Sequence, residues 1–106
     1  MTSTKKATPE ELSFLYRALA SQTNEQAVAA LLEDMCTIRE IDEMAQRLTV
    51  AKLLDADHPY TAISEATGSS ATTIARVSKS LNYGAGGYRA ILDLEATEAS
   101  GTDGTS

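Results

Sequence analysis

Gly68, flanked on both sides by short amphipathic stretches, limits the folds open to this chain more than any other residue. On its N-terminal side, Tyr60 to Thr67 places Ile63 and Ala66 three apart, so a short helix there has one apolar face. At Gly68 the chain must turn sharply, and glycine takes positive φ without steric cost. Ser69 and Ser70 follow as candidate N-caps, whose hydroxyls can accept from free backbone N–H groups. A second helix, about Ala71 to Asn82, carries Ile74, Val77 and Leu81 at spacings of three and four. Two helices around a tight glycine turn form the layout of a helix-turn-helix.

The outer faces of the second helix carry Thr72, Thr73, Arg76, Lys79 and Ser80. Slim hydrogen-bonding residues lead, and cations come further along. A helix that enters a DNA major groove needs this order: short side chains for base edges and positive charge for phosphates. From Gly68 to Leu92 there are three cations (Arg76, Lys79, Arg89) and no carboxylate, in a chain of formal charge −6. The segment is a basic island in an acidic protein, and local charge distribution carries the electrostatic footprint of nucleic-acid binding. The alternative is an ordinary helical hairpin with a solvated Ser/Thr/Lys face.

Other helix boundaries are also marked. Thr8-Pro9-Glu10-Glu11 is a capping box with proline at the first helical position, and Leu12, Leu15, Tyr16 and Leu19 follow on one face. Thr23 or Asn24 can cap a second helix bearing Ala27, Val28, Leu31, Leu32 and Met35. Thr37-Ile38-Arg39-Glu40 repeats the capping box and opens a long helix. Its stripe is Ile38, Ile41, Met44, Leu48 and Ala51, joined by Val50, Leu53 and Leu54, and it closes before Pro59. After the second reading helix, Asn82 to Gly87 is a glycine-rich hinge, with Gly84 expected as a left-handed C-cap. Tyr88 to Leu94 reads as a final short helix with Ile91 and Leu92 buried.

No sustained two-residue alternation is present, so the chain is expected to be all-α with about six helices. Residues 8–94 form one helical domain, 1–7 a flexible N-terminus and 95–106 a disordered acidic tail too poor in apolar surface to offset ordering entropy. No run approaches a membrane span, and the first residues lack the apolar core of a secretory signal. One cysteine forms no internal disulfide, which fits a reducing cytoplasm.

Enzymatic constellations find little support. Asp55-Ala56-Asp57-His58 contains the lone histidine, but ligands this close in sequence need partners from elsewhere, and it reads as a polar loop. Cys36 has no neighbouring histidine or cysteine and is expected as a small buried residue. Glu40, Asp42 and Glu43 suit a helix N-terminus without any catalysis. No catalytic, metal or cofactor site is therefore expected.

Gly68-Ser69-Ser70-Ala71-Thr72-Thr73-Ile74-Ala75-Arg76-Val77-Ser78-Lys79-Ser80-Leu81 resembles the reading head of the Trp repressor superfamily without a gap. The agreement includes Gly68, Thr73, Ile74, Arg76, Ser78, Ser80 and Leu81. A wider stretch is similar to the YerC/YecD-type Trp-repressor-related proteins. It comprises Asp34 to Ile41, Ala45-Gln46-Arg47-Leu48, Ser80 to Gly84 and Gly87-Tyr88. The resemblance spans about Leu12 to Leu92. It implies an intertwined homodimer and a transcription-regulator role, expected to be repression of promoters by binding double-stranded DNA. The docking geometry, with two heads about 34 Å apart on successive major-groove faces, belongs to helix-turn-helix proteins as a class. A protein-interaction dimer whose helix-turn-helix does not read DNA is the alternative.

Thr72 and Thr73 are expected to meet base edges, and Ser69, Ser70, Lys79 and Arg89 to meet phosphates, with capping and solvated charge as their respective alternatives. Arg76 has two candidate roles, a phosphate contact or a grip on the carboxylate of a small ligand. The resemblance offers Arg76, Ser80 and Arg47 to an unidentified effector. Tryptophan is not the expected one. Val77 stands where the repressor has a glycine beside the bound indole, and gapless matching puts Gln46, not Arg47, at its second ligand arginine.

Overall fold

The structure, a computed structural model, describes residues 5–105, with side chains through Glu98. The described residues hold six α-helices and no strand: α1 (Pro9–Ala20), α2 (Glu25–Met35), α3 (Ile38–Asp55), α4 (Tyr60–Thr67), α5 (Ala71–Tyr83) and α6 (Gly87–Thr105). The all-α expectation with a helix-turn-helix holds. Backbone contacts divide the chain into two compact units, Met1–Ile41 and Asp42–Ser106, with the boundary inside α3.

In the first unit, Thr8 closes the expected capping box. Its Oγ1 accepts from Glu11 N at 3.1 Å, and the Glu11 carboxylate accepts from Thr8 N at 2.8 Å. Asn24 rather than Thr23 caps α2, accepting from Ala27 N at 2.9 Å. Thr37 and Glu40 form the second box, at 3.0 and 2.8 Å, and start α3. Neither α1 nor α2 contains a buried residue, although both carry apolar stripes. Phe14, Tyr16, Met35 and Ile38 are all exposed, and Cys36, expected to be buried, is only half-buried.

The second unit holds the core. Val50 and Ala51 of α3, Ile63 of α4, Ile74 and Val77 of α5, and Leu92 of α6 are buried together, with Leu53, Leu54, Leu81 and Tyr88 packed around them. Burying an isoleucine such as Ile63 or Ile74 contributes about 1.5–3 kcal/mol by removal of apolar surface from water. The stripes are narrower than their periodicity suggests: Ala66, Leu48 and Ile91 stay exposed while Ile63, Val50 and Leu92 are buried.

Two glycine expectations part company. Gly68 has φ 75°, the left-handed conformation expected at the turn. Gly84 does not: its φ of −88° and ψ of −152° are extended, and the left-handed glycine of the hinge is Gly86, at φ 92°. Gly84 answers to close approach instead. A Cβ there would overlap Ser80 O and lie 3.0 Å from Ser80 Cα, both backbone atoms that cannot swing away. At Gly68 a Cβ would meet open space. Gly68→Ala is therefore expected to cost about 1–2 kcal/mol, the left-handed penalty of an L-residue, with Gly68→Asn recovering part of it. Gly84→Ala is expected to fray the last turn of α5. Urea unfolding and the exchange rates of amides 80–84 check the pair.

The last helix is longer than expected. It continues through Thr105, past Leu94 and across residues 95–105 of the segment expected to be disordered. Tyr88 and Leu92 anchor its first turns on the core, and extending an existing helix is far easier than nucleating one. Glu95, Ala96 and Glu98 are good helix formers. Of the expected flexible ends, residues 1–4 and Ser106 lie outside the described residues.

Candidate nucleic-acid interface

Helices α4 and α5 are joined at Gly68 by a turn held from three directions. Gly68 N donates to Ser64 O at 2.8 Å, ending α4. Ser64 Oγ donates to Ser69 O at 2.9 Å. Thr67 Oγ1 accepts from Ser69 N at 3.2 Å while donating to Ile63 O at 2.8 Å. Gly68 N, Ser69 N and Ser69 O are thus satisfied locally, and these bonds fix the direction in which α5 leaves.

Ser70 is the N-cap of α5. Its Oγ accepts from Thr73 N at 3.1 Å and donates to Thr73 Oγ1 at 3.2 Å. Capping and exposure coexist here: Ser70 is exposed, Thr73 half-buried, and Thr72 beside them exposed. Ser69 is placed differently from Ser70. It is buried, and its hydroxyl has no hydrogen-bond partner among the described residues. A hydroxyl enclosed in the turn does not reach a phosphate on the surface.

Arg76 and Lys79 lie on the exposed side of α5, away from the buried Ile74 and Val77, and neither forms an ion pair among the described residues. Arg89 differs. Its guanidinium donates to Asp55 at 2.7 Å and to Asp93 at 3.2 Å. The island from Gly68 to Leu92 looks uniformly basic along the chain, but in space carboxylates from outside that segment occupy one of its cations. Arg89 is therefore not a free phosphate ligand. The hydrogen bond from Arg89 holds the Asp55 carboxyl below the usual carboxylate range, against a smaller opposing effect of desolvation. A depressed pKa stabilises the folded state above the ordinary value and loses that contribution only as pH falls through the lowered one. The Asp55 carboxylate thus keeps its charge at neutral pH and loses it only in acid.

Sequence reasoning missed Asp55, which it placed in a polar loop. No local spacing could have found it, since its partner is 34 residues away. The same holds for Lys52, whose Nζ lies 3.3 Å from Glu95 of α6.

Of the residues offered to an effector, Ser80 lines a cavity of about 490 Å³ with Leu48, Tyr88 and Ile91. Arg76 and Arg47 are not among its lining residues, and both are exposed. Val77 is buried in the core, filling the space a glycine would leave.

An all-helical chain with a capped, glycine-turned helix pair and an exposed leading face on the second helix is a helix-turn-helix protein. The family model "Trp repressor protein" matches residues 10–96, and the chain belongs to that family, one of helix-turn-helix DNA-binding regulators. It is 39% identical over 84 residues to the uncharacterized protein YerC of Bacillus subtilis (strain 168), covering 79% of this chain and 81% of that protein. Among solved structures it is similar to a TrpR-like protein from Eubacterium eligens ATCC 27750, with TM-score 0.79 and 38% identity over 82% of this chain and 90% of the other. A Trp repressor candidate from Staphylococcus aureus is similar at TM-score 0.80 and 34% identity, covering 84% and 89%.

Proposed function

We propose that this protein is a sequence-specific transcription repressor that binds double-stranded DNA in the cytoplasm as a homodimer, through paired helix-turn-helix heads. The observation that carries the proposal is the face of α5, where Ser70, Thr72, Arg76 and Lys79 are exposed and both cations are unpaired among the described residues. Small polar groups at the start of the helix reach base edges, and the cations beyond them meet phosphates. Backbone N–H groups at the α5 N-terminus add to phosphate binding.

The dimer is supported by apolar surface. Phe14 is 68%, Met35 52% and Ile38 80% exposed, and a chain with this much uncovered apolar side chain gains from a second copy. Two heads on one dimer bind a near-palindromic site and occlude a promoter. Tryptophan is not the expected co-effector, because buried Val77 fills the space a glycine would leave.

Selection of bound fragments from a genomic DNA pool tests this. The expected result is enrichment of one near-palindromic sequence, with Thr72→Ala or Thr73→Ala changing the selected bases. Titration of the enriched fragment should show binding that weakens steeply with salt. Failure to enrich any sequence would favour a dimer whose helix-turn-helix serves protein contacts.

A further inference from the structure

The head formed by α4 and α5 joins the rest of its unit through two linkers. The first leaves α3 at Asp55 and runs through residues 56–59, with Asp57 at φ 65°. The second returns through Gly84 to Gly86, with Gly86 at φ 92°. Both linkers contain a residue in the left-handed region, so both are sharp bends rather than helix continuations. The last residue before the first linker is Asp55, and Arg89 lies in the first turn after the second. These two are bonded at 2.7 Å although 34 residues separate them.

We propose that the Asp55–Arg89 pair is a staple at the root of the reading head, closing the chain into a loop whose ends are held together and thereby fixing how α4 and α5 are presented. Asp93 holds Arg89 from the same helix, at 3.2 Å and four residues on, which orders the guanidinium before it crosses to α3. Local helix energetics do not account for Asp55. As the last residue of α3 it places negative charge at the negative end of the helix dipole. The pair is half-exposed, with side chains 43% and 41% accessible. Half-exposed pairs add little global stability, so the staple acts on the local opening of the head and not on the fold as a whole. The consequence for DNA rests on the proposed function, since head orientation decides whether α5 meets the groove.

The test uses the full chain without DNA and reads amide hydrogen exchange. In Asp55→Asn, amides of α4 and α5 should exchange about three- to tenfold faster while those of α1 and α2 keep their rates, because local openings of low free energy set exchange at such sites. Asp55→Glu should restore the parent rates. Asp93→Asn, which removes no bond across the root, should speed head exchange less than Asp55→Asn. If Asp55 merely tuned its own helix, Asp55→Asn would relieve the dipole and slow exchange. That result, or unchanged head exchange, overturns the staple. A second arm measures DNA: Asp55→Asn should weaken binding several-fold with the salt slope unchanged, because no phosphate contact is lost. Faster head exchange in a protein that selects no DNA would uphold the staple and fail the DNA-binding proposal. Faster exchange with unaltered affinity for a selected site would overturn the staple's control of presentation.

Discussion

Ile74→Ala is expected to destabilise the protein by about 2–5 kcal/mol, the range for a fully buried isoleucine cut to alanine. Ile74 is 0% exposed and lies where the helices of the second unit meet, against a core with few other buried side chains. A small core leaves little slack to refill the lost volume, so the upper half of the range is expected. Urea unfolding at one fixed protein concentration measures it, since the stability of the proposed dimer depends on concentration. Thr72→Ala, two residues away on the exposed side of the same helix, should change stability by less than about 0.5 kcal/mol. A loss at Ile74 below about 1 kcal/mol would mean the core is not assembled as described.

Arg76→Ala together with Lys79→Ala should all but abolish DNA binding at physiological salt. Each phosphate contact contributes about 0.9 to the slope of log affinity against log salt. In a dimer each substitution removes two contacts, so the slope should fall by roughly 1.8 for either residue and by roughly 3.6 for both. The corresponding loss of affinity is about a hundredfold or more for the double variant. Arg89→Ala is the informative control. Its charge is already engaged by Asp55 and Asp93, so the slope should stay near the parent's. Fluorescence anisotropy across a salt series gives all of these values. An unchanged slope in the double variant would remove α5 from the phosphate backbone, and a slope lowered by Arg89→Ala would place that side chain on DNA.

Arg76 and Arg89 look alike in the sequence: both are arginines in a stretch free of carboxylates. They differ in space because folding brings the α3 C-terminus beside α6. Ser69 and Ser70 look alike too, as adjacent hydroxyls at a helix start. One is enclosed in the turn and the other caps α5 at the surface. Residue type and spacing identified the helix-turn-helix segment, but which member of each pair faces solvent depends on the packing of neighbouring elements.

The sequence by itself determined what is local. Thr8, Asn24, Thr37 and Ser70 cap helices through bonds that span three residues, and Gly68 takes a backbone conformation that few other residues tolerate. The interactions that set these features lie within one turn of chain, so the order of residues contains them. Tertiary structure alone decided the rest. It left Phe14, Tyr16 and Met35 of α1 and α2 exposed, and joined Asp55 to Arg89. Periodicity along a helix shows that a face is apolar, but only the arrangement of the helices shows whether anything lies against it.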